Sequence, residues 1–347
     1  MNRRNRINSI SFRAWRVGAL VLCIASLAGT HACTTDDNST TASVAGQQAD
    51  PRDSTNSDIP ASTPMGSGPY KSIMEVDRSL PTHTLYRPAD LSMAGKLPVV
   101  VWGNGACWNV GNSFRWFLSD IASYGYLVIA IGPIEKRVLR TGSDPMTPIP
   151  PAGPPPANVE LPPSSSKSSQ LIDAMDWAMA ANERQDNPLY HRLDTSGVAV
   201  MGQSCGGAQA LEASIDPRVR TTVLWNSGLF PEPTSMGGGA ALSRSDLKRL
   251  LHAPTAFISG DDEDTAWANA NANFELISHV PVLRAWERGV LHSGTYSERN
   301  GGEFGGIAVA WLDWQMKQDK RAAKLFTGKD CGLCVNPRWV VESKNLK

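Results

Sequence analysis

From residue 69 onward, short runs of consecutive apolar residues alternate with stretches whose apolar residues recur every three to four positions. The runs LPVVVWG (97–103), YLVIAIG (126–132), VAVMG (198–202), RTTVLWNSG (220–228), PTAFISG (254–260) and VPVLRAWERG (280–289) are short, rich in β-branched residues and end at Gly or in a turn. They read as buried strands. HTLYRP (83–88) reads as an earlier one. Between them, residues 112–124, 168–182, 206–215, 245–251 and 269–278 read as helices, and 304–326 as a terminal helix. Ser168 or Ser169 is placed to cap the second of these. Strands separated by helices imply βαβ units, a largely parallel sheet and right-handed crossovers. The fold class is therefore α/β, in one domain without an internal linker.

Two segments break the pattern. Residues 145–163 (PMTPIPPAGPPPANVELPP) are too rich in Pro for helix or central strand. They follow a strand end, where open α/β sheets place ligand crevices, so they are read either as lining a site or as a surface loop. At the N-terminus, a basic stretch to Arg16 precedes the apolar run VGALVLCIASLAG (17–29), which is too short to span a bilayer and fits a secretory signal over residues 1–32. Residues 33–66 are poor in aliphatic and aromatic side chains and are expected to form a disordered tether. The folded domain is then 67–347.

Composition narrows the function classes. The 347 residues carry 33 Lys plus Arg against 33 Asp plus Glu. Five of those Arg lie in the first 16 residues, ahead of any acid, so an exported chain is acidic. Nothing in that balance favours nucleic acid or an anionic membrane as partner.

VAVMG runs into Gln203, Ser204, Cys205, Gly206 and Gly207, a Gly-x-Ser-x-Gly pattern between an expected strand and a small-residue helix. A Ser on such a sharp turn projects its hydroxyl from the sheet, and only small residues fit two positions either side. A phosphate cradle would need a Lys or spaced glycines at a first strand, and neither is present. A nucleophilic Ser204 needs a base and an acid, in the order Ser, acid, His. His279 and His292 follow it. His279 precedes the last of these expected strands and falls at the wrong end of the sheet, whereas His292 follows that strand, so His292 is taken as the general base. GDDEDTA supplies the acid after the preceding strand: Asp264 first, then Asp262, then Asp261. Two backbone N–H groups should stabilise an oxyanion, one from Cys205 and one from the loop NGAC, at Ala106 or alternatively Cys107. No metal or cofactor is expected.

VVVWGNGAC, GQSCGG, LWNSG, GDDEDT, LHSGTY and the terminal AVAWLDWQMKQD together resemble the α/β-hydrolase fold, in its dienelactone-hydrolase-like and cutinase/polyester-hydrolase-like branch. The resemblance covers most of residues 97–326 and implies hydrolysis of a small-molecule or polymeric ester through an acyl-enzyme. It also implies that Trp225 lines the substrate cleft. Cys205 stands where those relatives usually carry Met, and NGAC and the Pro-rich insertion are departures that bear on the substrate. On this fold Cys107 and Cys205 meet at the oxyanion loop, and a disulfide between them is expected, with a local one between Cys331 and Cys334. Cys33 is the candidate for lipidation and membrane anchoring; simple cleavage after Ala32 is the alternative. The expected protein is thus an exported monomeric serine esterase. A peptidase or amidase on the same residues and a non-catalytic surface-binding lipoprotein are the competing readings.

Overall fold

The computed structural model describes residues 60–135, 165–236 and 239–347. The signal segment 1–32, Cys33, most of the tether and the Pro-rich insertion 145–163 lie outside the described residues.

In chain order the elements are β1 (Ser72–Glu75), β2 (His83–Pro88), β3 (Leu97–Gly103), α1 (Arg115–Ser123), β4 (Leu127–Ile131), α2 (Ser169–Glu183), β5 (Leu193–Gln203), α3 (Cys205–Ala213) and β6 (Val219–Trp225). A two-residue hairpin follows, β7 (Thr234–Ser235) with β8 (Ala241–Leu242), then α4 (Leu247–Leu250), β9 (Thr255–Gly260), α5 (Trp267–Leu276) and β10 (Val282–Glu287). The chain closes with α6 (Gly302–Lys317), α7 (Lys320–Ala323) and β11 (Trp339–Lys344).

Nine strands form one sheet in the order β1-β2-β4-β3-β5-β6-β9-β10-β11. From β4 to β10 all neighbours are parallel. β1 and β2 at one edge and β11 at the other run antiparallel to their neighbours. This is a mostly parallel, mixed α/β sheet, and the apolar runs are its central strands.

Both faces of the sheet are covered, so alternate residues of one strand enter different cores. Val99 and Val101 of β3 pack with Leu171 and Met175 of α2, Leu211 of α3 and Phe274 of α5. Val100 and Trp102 face the other way, among Phe117 and Ile121 of α1 and Phe304, Trp311 and Leu312 of α6. This two-sided burial is why the strands read as continuous apolar runs rather than alternating ones.

Two expectations need correction, and one strand lies where the sequence pattern gave no element. Residues 60–66, assigned to the tether, are packed: Met65 exchanges backbone hydrogen bonds with Ser72 at 2.8 and 2.9 Å, and Arg115 donates to the Pro60 carbonyl at 2.5 Å. Gly66, at φ +95°, lets the chain lie directly against Ser123, which a Cβ would strike at 2.3 Å. The terminal helix is not continuous to Phe326. Gln318 takes φ +60° and ends α6, and the Asp319 carboxylate accepts the Arg321 N–H at 2.7 Å to open α7. The C-terminal tail returns as β11, pairing Trp339 with Glu287 and Lys344 with Val282. Its charged residues Glu342 and Lys344 suit an exposed edge.

Candidate active site

The central strand β5 ends at Gln203, and Ser204 forms the turn into α3 at φ +53°, ψ −118°, a backbone conformation rare for an L-residue. Its N–H donates to the Trp225 carbonyl at 2.9 Å, and the Ser227 hydroxyl donates to its carbonyl at 2.7 Å. The neighbouring glycines are required by close approach. A Cβ on Gly202 would sit 2.1 Å from the Gly206 carbonyl oxygen, and one on Gly206 would sit 2.1 Å from that of Gly103. β3, β5 and the start of α3 therefore meet backbone to backbone around the serine.

The loop after β10 brings His292 to this turn. Its Nε2 lies 2.9 Å from Ser204 Oγ, and Gln203 donates its side-chain amide to the His292 carbonyl at 3.1 Å. The Nδ1 side of the ring lies 2.7 Å from Asp264 Oδ1. Asp264 is fully buried, while the His292 side chain is one quarter exposed. The Ala266 N–H also donates to Oδ1 at 2.9 Å; the Asn226 amide at 2.8 Å and the Gly260 N–H at 3.2 Å donate to Oδ2. Burial pushes this carboxyl up, but the His292 contact, with the Ala266 and Asn226 donors, outweighs it and holds the pKa below its ordinary value. With Asp264 ionised, the imidazole carries its proton on Nδ1 and presents a lone pair to Ser204. The arrangement can move the hydroxyl proton to His292.

The other candidates are placed elsewhere. Asp261 accepts the Gly289 N–H at 2.6 Å and Asp262 is exposed; neither is bonded to His292. His279, at the other end of β10, donates its Nε2–H to the Leu251 carbonyl at 3.1 Å.

Cys205 opens α3, so its N–H belongs to the first turn, where amides lack intrahelical acceptors and the helix dipole favours negative charge. Facing it, residues Gly105–Cys107 form a 3-10 turn in which Ala106 is exposed at φ +51° and Cys107 lies at φ +50°. The Cys107 N–H is taken by the Asn104 carbonyl at 3.2 Å, which leaves Ala106 the better donor of the two considered. A disulfide joins Cys107 to Cys205, with Cα atoms 5.2 Å apart, and a second joins Cys331 to Cys334. The Cys107 carbonyl accepts from the Ser165 and Ser166 hydroxyls at 2.9 and 2.7 Å and from the Ser166 N–H at 3.0 Å. The Asn104 amide reaches the carbonyls of Trp108, Val110 and Ile131 at 2.7–3.1 Å.

Trp225 is a correction. Strand alternation sends its ring, with Val223, into the core under α1 and α6, where it is fully buried among Phe117, Tyr296 and Phe304 with centroids 5.1–6.2 Å away. It lines no cleft; its contribution to the site is the backbone carbonyl that holds Ser204.

Sequence order, strand topology and site geometry coincide. The fold is that of an α/β-hydrolase. Residues 157–230 match the PET hydrolase-like family model (PETase), a stretch that contains Ser204 and Trp225 but neither Asp264 nor His292. No curated protein matches the chain.

Sequence reasoning passed over Asn226, Tyr296 and Gln203. Tyr296 donates its hydroxyl to Asn226 Oδ1 in a short hydrogen bond. Asn226 and Tyr296 stand 38 and 32 residues from Asp264, and no motif spacing announces such contacts. The only local signal is a polar residue at an apolar strand's end, in LWNSG.

Among the described residues no helix is long and apolar enough to cross a membrane, and no group of three or more His, Cys, Asp or Glu is arranged to hold a metal ion.

Proposed function

We propose that this chain is an exported serine hydrolase that cleaves carboxylic esters, small or polymeric, through an acyl-enzyme on Ser204. His292 Nε2 takes the hydroxyl proton as Ser204 Oγ attacks the ester carbonyl. Asp264 holds the reactive tautomer and stabilises the imidazolium. The oxyanion that forms is met by the N–H groups of Cys205 and Ala106. His292 then gives its proton to the leaving alkoxide, and water repeats the sequence on the acyl-enzyme. The observation that carries this reading is the unbroken hydrogen-bonded line from Ser204 Oγ through His292 to a buried Asp264, built on a strained strand-to-helix turn. The PET hydrolase-like match favours an ester over an amide bond. Two disulfides and the N-terminal sequence pattern support residence outside the cytoplasm, with Cys33 as the candidate anchor.

The test is turnover of p-nitrophenyl esters by the wild type and by Ser204→Ala. The variant is expected to lose at least about a thousandfold in kcat/KM. Equal turnover would refute the assignment.

A further inference from the structure

We propose that Asn226, clamped by Tyr296, is a positioning residue for this reaction: it fixes the Asp264 carboxylate in the one orientation that serves His292. The proposal rests on the ester-hydrolase reading above.

A carboxyl group turns about a broad, two-fold torsion, so its orientation must be set by its partners. Oδ1 faces His292. On Oδ2 the side-chain donor is the Asn226 amide at 2.8 Å, beside the Gly260 N–H at 3.2 Å. An Asn side chain has an ambiguity of its own, because turning it end for end would put its oxygen against the carboxylate. The Tyr296 hydroxyl removes that ambiguity. It is bonded to Asn226 Oδ1, which leaves Nδ2 facing Asp264. The phenol cannot swing away, since its ring is wedged among Trp102, Phe114, Phe117, Trp225 and Phe304 with centroids 5.1–6.4 Å apart. Burial, with the Asp264 charge, raises the Tyr296 pKa and keeps the hydroxyl a donor.

The backbone supports the same role. Asn226 is fully buried at φ +43°, a left-handed backbone region that Asn adopts more readily than most other L-residues, and its N–H is pinned to the Ile258 carbonyl at 2.7 Å. On either side, the Trp225 carbonyl and the Ser227 hydroxyl hold the main chain of Ser204. One three-residue segment at the end of β6 thus sets nucleophile and acid in a common frame.

The experiment compares steady-state ester hydrolysis over pH by the wild-type protein, Asn226→Ala, Asn226→Asp, Tyr296→Phe and Ser204→Ala, each checked for folding by circular dichroism. Asn226→Ala is expected to lose about 10- to 100-fold in kcat with KM within about twofold, the pattern of a misplaced catalytic group rather than lost binding. Tyr296→Phe keeps the ring and should lose about 3- to 10-fold, again in kcat. Asn226→Asp is nearly isosteric, but the introduced carboxyl donates to Asp264 only while protonated. Two adjacent carboxyls do not ionise together readily, so its activity should fall with rising pH along a limb the wild type lacks. A merely structural role would lower stability without creating that limb. The proposal is overturned if folded Asn226→Ala keeps kcat within about twofold, or if Asn226→Asp shows the wild-type pH profile. Should Asn226→Ala not fold, Asn226→Asp and Tyr296→Phe decide it by the same criteria. Wild-type turnover in Ser204→Ala would instead overturn the hydrolase reading itself, and this inference with it.

Discussion

Ser204 holds its strained backbone only because its surroundings determine it: the Trp225 carbonyl and Ser227 hydroxyl grip its main chain, and the adjacent glycines leave room for the turn. The same reasoning separates the acids. Asp264 accepts four hydrogen bonds in a buried site, whereas Asp261 closes a surface turn and Asp262 faces solvent. Asp264→Ala is therefore expected to lose about 10³- to 10⁴-fold in kcat, and Asp262→Ala to stay within about twofold, in steady-state ester assays. Because the Asp264 pKa is depressed in the fold, its stabilising contribution is complete above the ordinary value of 3.8 and is lost as pH falls below it. The meeting of Ser204, Asp264 and His292 was legible from the sequence because each follows a recognisable strand. The role of Trp225 was not: the residue type was visible, but which face of β6 carried it depended on α1 and α6 packing beneath the sheet.

At the scale of elements, the segment Gly105–Cys107, proposed to meet the oxyanion, is held from three sides. Cys205 ties it to α3, Ser165 and Ser166 bind its carbonyl, and Asn104 fastens it to the loops around it. The Cys107–Cys205 bond spans 98 residues, and Cys331–Cys334 spans 3. Chain-entropy arguments assign roughly 4–5 kcal/mol to a loop of the first size and under about 2 kcal/mol to the second. The double substitution Cys107→Ser/Cys205→Ser should therefore lower both the chemical denaturation free energy and kcat, while Cys331→Ser/Cys334→Ser should change either only slightly. Comparable losses in the two would contradict the bracing role. The pairing of Cys107 with Cys205 could be read in advance through the resemblance, because that fold brings the residues that follow β3 and β5 together. The grip of Ser165 and Ser166 could not, since nothing in their local sequence points to a carbonyl 58 residues away.

For the whole molecule, the sequence pattern shows the six parallel strands, whose two-sided burial demands long apolar runs, and misses the edges. β1 has only four residues and β11 mixes apolar with charged ones, and both are partly exposed, so their pairing with β2 and β10 leaves little trace in hydrophobicity. β11 is also tied to the core by the Arg338–Glu287 ion pair. Burial, with Glu303 and Glu298 nearby, pushes Glu287 up to about 7 against the opposing pull of Arg338. A raised carboxyl favours the fold while protonated, so this contribution is full below the ordinary value of 4.5 and is lost as pH rises from there through about 7. Thermal scans from pH 4.5 to 8 should show a falling Tm in the wild type and a flatter profile in Glu287→Gln; parallel profiles would contradict the assignment. The central claim, that Ser204 is an acylated nucleophile in an ester hydrolase, is tested most directly by intact and peptide mass spectrometry after a fluorophosphonate probe. The account predicts one adduct per chain, on the peptide containing Ser204, abolished in Ser204→Ala along with ester turnover. Stoichiometric labelling that persists in Ser204→Ala, or turnover with Ser204 unmodified, would contradict it.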